Sequence, residues 1–136
     1  MRKVYLAAKF SRYIEMQEIA EWLKSYDYAV VSTWHSPEHL HINARKDPNG
    51  RGTVEERGEW AEKDLDDLYI ADIIVSFTDG PHEVSRGGRH VEYGAGLVLD
   101  KLMIVVGDKE HIFHELADYH FPSKAEFFSA VSQGVI

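Results

Sequence analysis

The sequence predicts an α/β fold: a single-domain, three-layer sandwich around a mostly parallel sheet of the Rossmann or flavodoxin-like kind. Three observations predict it. Short β-prone runs alternate with stretches of helical period along the chain. Two of those runs, "DIIVSF" (72–77) and "KLMIVVG" (101–107), are continuously apolar, as strands buried on both faces of a parallel sheet are. The length, 136 residues, supports one sizeable core and is short for two, so one domain over 1–136 is expected.

The elements follow in order. "KVYLAA" (3–8) is the first strand, closed by Lys9-Phe10-Ser11. From Ser11, a suitable N-cap residue, the period becomes helical: Met16, Ile19, Ala20, Leu23 and Tyr26 share one face, and Glu15, Glu18 and Glu21 fill the other. "YAVVST" (28–33) is a second strand. Residues 34–53 lack periodicity and carry the turn signal "KDPNGRG", which points to a functional loop. Next come a helix over 54–70, the strand 72–77, a loop over 78–88, a helix over 89–100 and the strand 101–107. A short helix at 110–116, a small strand at 118–121 and a helix at 122–132 complete the chain. Ligands of such sheets sit outside the carboxyl ends of the strands, so 8–12, 34–53 and 78–90 are the informative loops.

Composition narrows the function classes. Cysteine is absent, which removes disulfides and thiol chemistry. A net charge of −8 disfavours a nucleic-acid polymer as partner, while leaving room for a small anionic ligand held by a local basic cluster. No run has the length of a membrane span or signal peptide, so a cytoplasmic protein with no membrane partner is expected.

Several residues are candidates for chemistry. Glu92 falls in the first turn of the 89–100 helix, where an acid is commonly just a partner for the helix dipole. Projection sets it beside the apolar stripe Val91, Ala95, Val98 and Leu102. The flanking Gly94 and Gly96 each weaken a helix by about 1 kcal/mol relative to alanine, which a close approach there would justify. A carboxylate at the mouth of a crevice can act as nucleophile or base. Asp64, in "EWAEKDLDDLYIAD", projects into the inward stripe Trp60, Ala61, Leu65 and Leu68, whereas Glu62 and Asp66 project away. An aspartate there is paired, hydrogen-bonded or functional, and burial would raise its pKa toward that of a proton donor. Asp72, just before a buried strand, reads as structural. Tyr5 on its own reads as a core aromatic.

Lys9 and Arg12 bracket the first strand-to-helix turn, and Arg86 and Arg89 bracket "GG" in the third loop. Together with Ser11, Ser85, Gly87 and Gly88 they outline an anion site at neighbouring helix starts. Trp34 and Phe10 are candidates for stacking on a base. The loop histidines in "HSPEHLH" (His35, His39, His41, with Glu38) lack the spacing of a helical two-histidine site, and neither a metal nor a cofactor is expected. His90 stands close to Glu92. There is no P-loop, dinucleotide fingerprint or Ser-His-Asp order.

Three of these stretches in sequence resemble the nucleoside 2-deoxyribosyltransferase superfamily, which includes base-exchanging transferases and 2'-deoxynucleoside 5'-phosphate N-hydrolases. They are "VYLAAKFSR", "DLDDLYIADIIV", and the glycine-containing loop that runs into "HVEYGAGLVLDKLMIVVG". The resemblance implies Glu92 as the nucleophile at the sugar C1', Asp64 as the group that transfers a proton to the leaving base, and Tyr5 as the residue that orients the nucleophile. It implies net retention at C1', a nucleoside or nucleotide substrate, no cofactor, and a homo-oligomer. The chain departs from the pattern in two places. "AAKFSR" has less glycine and serine than the hydrolases' phosphate loop, and "VSRGGRH" is about one residue longer before the glutamate, which leaves the register of Ser85 open. The loop arginines favour a nucleotide over a free nucleoside. The competing readings are a non-catalytic module for a nucleotide or ADP-ribose-like ligand, and, behind it, a metal-dependent hydrolase built on the histidine loop.

Overall fold

The computed structural model describes residues 1–38, 52–80 and 87–136. Strands β1 (Lys3–Ala7), β2 (Ala29–Val30), β3 (Ile73–Phe77), β4 (Leu102–Val106) and β5 (Tyr119–Phe121) form one sheet in the order β2-β1-β3-β4-β5, every pair parallel. Among the described residues four α-helices flank it: α1 (Tyr13–Lys24), α2 (Val54–Ile70), α3 (Gly88–Val98) and α4 (Lys124–Ser132). This is the three-layer sandwich expected from the sequence.

Local chemistry explains the boundaries. Thr53 and Glu56 form a reciprocal capping box, each backbone N–H bound to the other's side chain, so α2 starts at Val54 as predicted. Such a cap contributes about 1 kcal/mol. Ser11 is not the cap of α1. A 3-10 turn takes up Phe10–Arg12 first, and Arg12 stands at the N-cap position. Tyr26 lies beyond the end of α1 and is exposed. The predicted short helix at 110–116 is a 3-10 turn, Ile112–Leu116. Gly87 enters α3 at φ +89, a left-handed conformation that explains a glycine in "GGRH".

Strand alternation divides the core. Val4, Leu6, Val75, Phe77 and Ile104 pack against Met16, Ile19 and Leu23 of α1 and Phe127 and Val131 of α4. On the other face Tyr5, Ala7, Ile74, Met103 and Val105 pack against Leu68, Ala71 and Tyr93.

Both predicted helix stripes need correction. On α2, Ala61 and Leu65 face outward, and Asp67 with Leu68 forms the buried line. On α3, Val91 and Val98 are 64% and 87% exposed, whereas Arg89, Tyr93 and Gly96 turn inward. The reason is contact distance. Without a side chain, Gly96 lets α3 lie directly on Ile74 and Met103, and a buried ion pair draws Arg89 in with it. A Cβ at position 96 would sit 2.8 Å from Met103 Sδ and 2.9 Å from Ile74 Cγ1. Gly96→Ala is therefore expected to destabilise the fold. Overpacking costs about 1–3 kcal/mol, against about 1 kcal/mol of helix propensity gained. Gly94→Ala is the control, since among the described residues a Cβ there would meet nothing within 4 Å beyond its chain neighbours and its own helix backbone. Urea unfolding of the pair checks this.

Candidate active site

β1 and β3 lie side by side, yet the chain leaves them for opposite faces: β1 leads to α1 and β3 to α3. Their carboxyl ends form the switch point at which open α/β sheets bind ligands. Three elements send a polar side chain toward it, Tyr5 from β1, Asp64 from α2 and Glu92 from α3.

The three act on one another. Tyr5 is fully buried, and among the described residues neither its Oη nor Oε2 of Glu92 has a hydrogen-bond partner. Leaving such atoms unpaired costs about 1–3 kcal/mol each. Burial first, then repulsion from Asp64, pushes the Glu92 carboxyl up to about 8, while the Tyr5 hydroxyl pulls the other way. Tyr5 lies close enough to favour the Glu92 anion without reaching hydrogen-bond geometry. Burial first, then Asp67, raises Asp64 to about 7, with Lys63 opposing. Burial, followed by the charges of Glu92 and Asp64, holds Tyr5 well above its ordinary value. The two carboxyls thus share about one proton near neutral pH. A carboxylate beside a carboxylic acid can attack an electrophilic carbon while the acid protonates the leaving atom.

Asp67 was not among the sequence candidates. It is 2% exposed, and its Oδ2 accepts from Thr33 N–H (3.1 Å) and Thr33 Oγ1 (2.5 Å), while Oδ1 accepts from Lys63 Nζ (2.5 Å). The signal for it was the spacing: Asp67 lies three residues from Asp64 and beside Leu68, on the line that turns inward. Asp72 plays the structural part expected of it, accepting from Lys3 N–H at 2.8 Å.

The segment after β2 is pinned over this site. Trp34 Nε1 donates to the Leu6 carbonyl at 2.7 Å, and its ring packs 5.8 Å from that of Phe10, so the two base-stacking candidates stand together at the end of β1. His35 is buried with Nε2 on Ser32 Oγ at 2.8 Å, and that hydroxyl accepts from Leu6 N–H. His39 and His41 lie outside the described residues, as do Ser85 and Arg86.

The basic candidates are arranged in a way the sequence did not indicate. Arg12 makes a two-bond pair with Glu15 and also reaches Asp79 Oδ1 (3.1 Å) and the Thr78 carbonyl (3.2 Å). Arg89, 4% exposed, grips Glu110 with both terminal nitrogens and lies 3.4 Å from Asp79 through Nε. Both arginines therefore bind protein carboxylates and tie the first and third loops together through Asp79. Lys9 and Ser11 sit at the first of these loops, Gly87 and Gly88 at the start of α3.

The histidines of the tail, unreadable in sequence, gather around His90. One nitrogen from each of His90, His111 and His114 lies within 4.8 Å of the others. His90 Nδ1 meets His111 Nε2 at 3.1 Å. Glu110 N–H donates to Nδ1 of His114, which leaves the proton of the neutral ring on Nε2. The centroids of the His111 and His114 rings lie 3.8 Å apart with 32° between planes. The trio is a packed bracket against Tyr93, whose hydroxyl donates to the Phe113 carbonyl at 3.0 Å.

Comparison with solved structures places the fold. A 2-deoxyribosyltransferase from Bacillus psychrosaccharolyticus superposes with a TM-score of 0.67 at 18% identity, covering 95% of each chain. The fold is that of the nucleoside 2-deoxyribosyltransferases. The CMP N-glycosidase BcmB of Clostridium botulinum has the same fold, with a TM-score of 0.61 at 15% identity over 97% of this chain and 99% of that one. No family model and no curated protein matches the sequence. Among the described residues no helix is long and apolar enough to cross a membrane.

Proposed function

We propose that this protein cleaves or transfers the N-glycosidic bond of a (deoxy)nucleoside or its 5'-monophosphate, with Glu92 as nucleophile. The observation that carries the reading is the meeting of Glu92, Asp64 and Tyr5, from three elements, with buried unpaired oxygens at the β1/β3 switch point. Glu92 attacks C1' as its carboxylate, favoured by the positive charge that develops on the sugar, and Asp64 delivers its proton to the departing base. A glycosyl-enzyme intermediate forms, and water or a second base resolves it with net retention. Tyr5 holds the attacking oxygen in place. The reading agrees with the activities named for the two structural neighbours, a deoxyribosyl transfer and a CMP N-glycosidase.

A 5'-phosphate would lie by Lys9, Ser11 and the start of α3 at Gly87 and Gly88, where backbone N–H groups favour anions. Arg12 and Arg89 would reach it only by exchanging their carboxylate partners. Ser85 and Arg86 belong to the same proposal. Trp34 and Phe10 would face the base.

Chromatography of free base released from ribo- and deoxynucleosides and their 5'-monophosphates tests the reading. Release by the wild type establishes the reaction, and the preferred substrate decides the phosphate. Tight binding with no release, even with a second base as acceptor, replaces it with the non-catalytic binding module.

The protein is further proposed to be a homo-oligomer. Leu65, Tyr69 and Ile70 on α2 and Val91 and Val98 on α3 leave large apolar side chains exposed on two helices in mutual contact. Val98→Glu is expected to lower the sedimentation mass to that of a monomer without changing the circular dichroism. A wild type that sediments at 15.6 kDa contradicts the proposal.

A further inference from the structure

Asp64 and Asp67 stand one turn apart on α2 and face the same way, but their surroundings differ. Asp67 accepts three hydrogen bonds and donates none, as an ionised carboxylate does. Two come from Thr33, which follows β2, and one from Lys63, so its oxygens are fixed from two sides. Among the described residues Asp64 has no such set of donors. From the described elements it faces the Tyr5 hydroxyl of β1, the Glu92 carboxyl of α3, and Asp67 and Lys63 of its own helix.

We propose that Asp67 is a positioning residue: a carboxylate locked in place by Thr33 and Lys63, one turn from Asp64 on the same face of α2, that disfavours ionisation of Asp64 and so keeps it the acid of the reaction. The inference rests on the reading given above for Glu92 and Asp64. Its physics is simple. Asp64 is less deeply buried than Glu92, so burial alone holds its proton less firmly. A fixed negative charge one turn along α2 from Asp64 holds that proton more firmly. Asp67 is the largest charged influence on Asp64 and only a minor one on Tyr5, while no effect of it on Glu92 is discernible. Lys63 acts on Asp64 with the opposite sign, and removing either residue therefore has a signed consequence.

The test follows the Asp64 carboxyl by carbon NMR against pH in the free protein, together with the pH profile of base release. Asp67→Asn is expected to lower the Asp64 midpoint, and with it the alkaline limb of the rate, by about one pH unit. Lys63→Gln is expected to raise both. Should Asp67→Asn fold poorly, the double variant Thr33→Val/Asp67→Leu removes the carboxylate together with the hydroxyl bound to it, leaving only the N–H of residue 33 and the half-exposed Lys63 without their acceptor, and should show the same fall. A purely structural Asp67 predicts midpoints that stay put, or move in the same direction in all variants, and that result overturns the proposal. Absence of base release by the wild type counts against the catalytic reading alone, because the NMR midpoints are read without substrate.

Discussion

Glu92→Gln is expected to reduce base release by about 10³-fold or more while making the protein more stable in alkali. The rate loss follows from removing the proposed nucleophile. The stability gain follows from the raised carboxyl. The folded protein retains a proton at Glu92 that the unfolded chain has released above its ordinary carboxylate range. The stability this group contributes is therefore fully present below the unfolded value of 4.5, and it is lost as pH rises toward the folded value of about 8. Glutamine has no proton to lose. The difference in stability between variant and wild type should grow from pH 5 to pH 8 and then level off, at about 2–3 kcal/mol once partial solvent contact and the share due to Asp64 are discounted. Thermal melts of both proteins across that range measure it. Equal slopes would mean that Glu92 is not held protonated.

Asp64→Asn is expected to cost about 10²–10⁴-fold, the usual worth of a placed general acid. The loss should depend on the leaving base. A base acidic enough to depart as an anion needs no proton, and for such a substrate the variant should approach the wild type. The wild-type rate should fall in alkali once the Glu92 and Asp64 pair has lost its shared proton, and that limb should vanish in the variant. A loss of equal size for every leaving group would assign Asp64 to structure.

Much of the fold was legible because the local signals agreed. The runs 72–77 and 101–107 became the central strands β3 and β4, and the helix expected over 54–70 is α2. What failed was helix orientation. Val91 and Val98 read as an inward stripe, but a helix that rests on a sheet through Gly96 turns its smallest residue inward, and periodicity gives a glycine no weight. Glu92 and Asp64 stood out as acids next to apolar positions. Asp67 did not, because its burial depends on Thr33, a partner 34 residues away. The arginines read as an anion site because a sequence shows charges without their partners. Asp79 and Glu110, which hold Arg89, come from two separate loops. The histidine bracket of His90, His111 and His114 was invisible for the same reason.

The central claim is that Glu92 forms a covalent bond to the sugar. The most direct test is rapid-quench mass spectrometry with a 2'-fluoro-2'-deoxynucleoside, whose electron-withdrawing fluorine slows breakdown of the intermediate. The expected result is a burst of free base matched by a fluorosugar mass on the peptide that carries Glu92, absent in Glu92→Gln. Steady base release with no adduct, or a product of inverted configuration at C1', would contradict it.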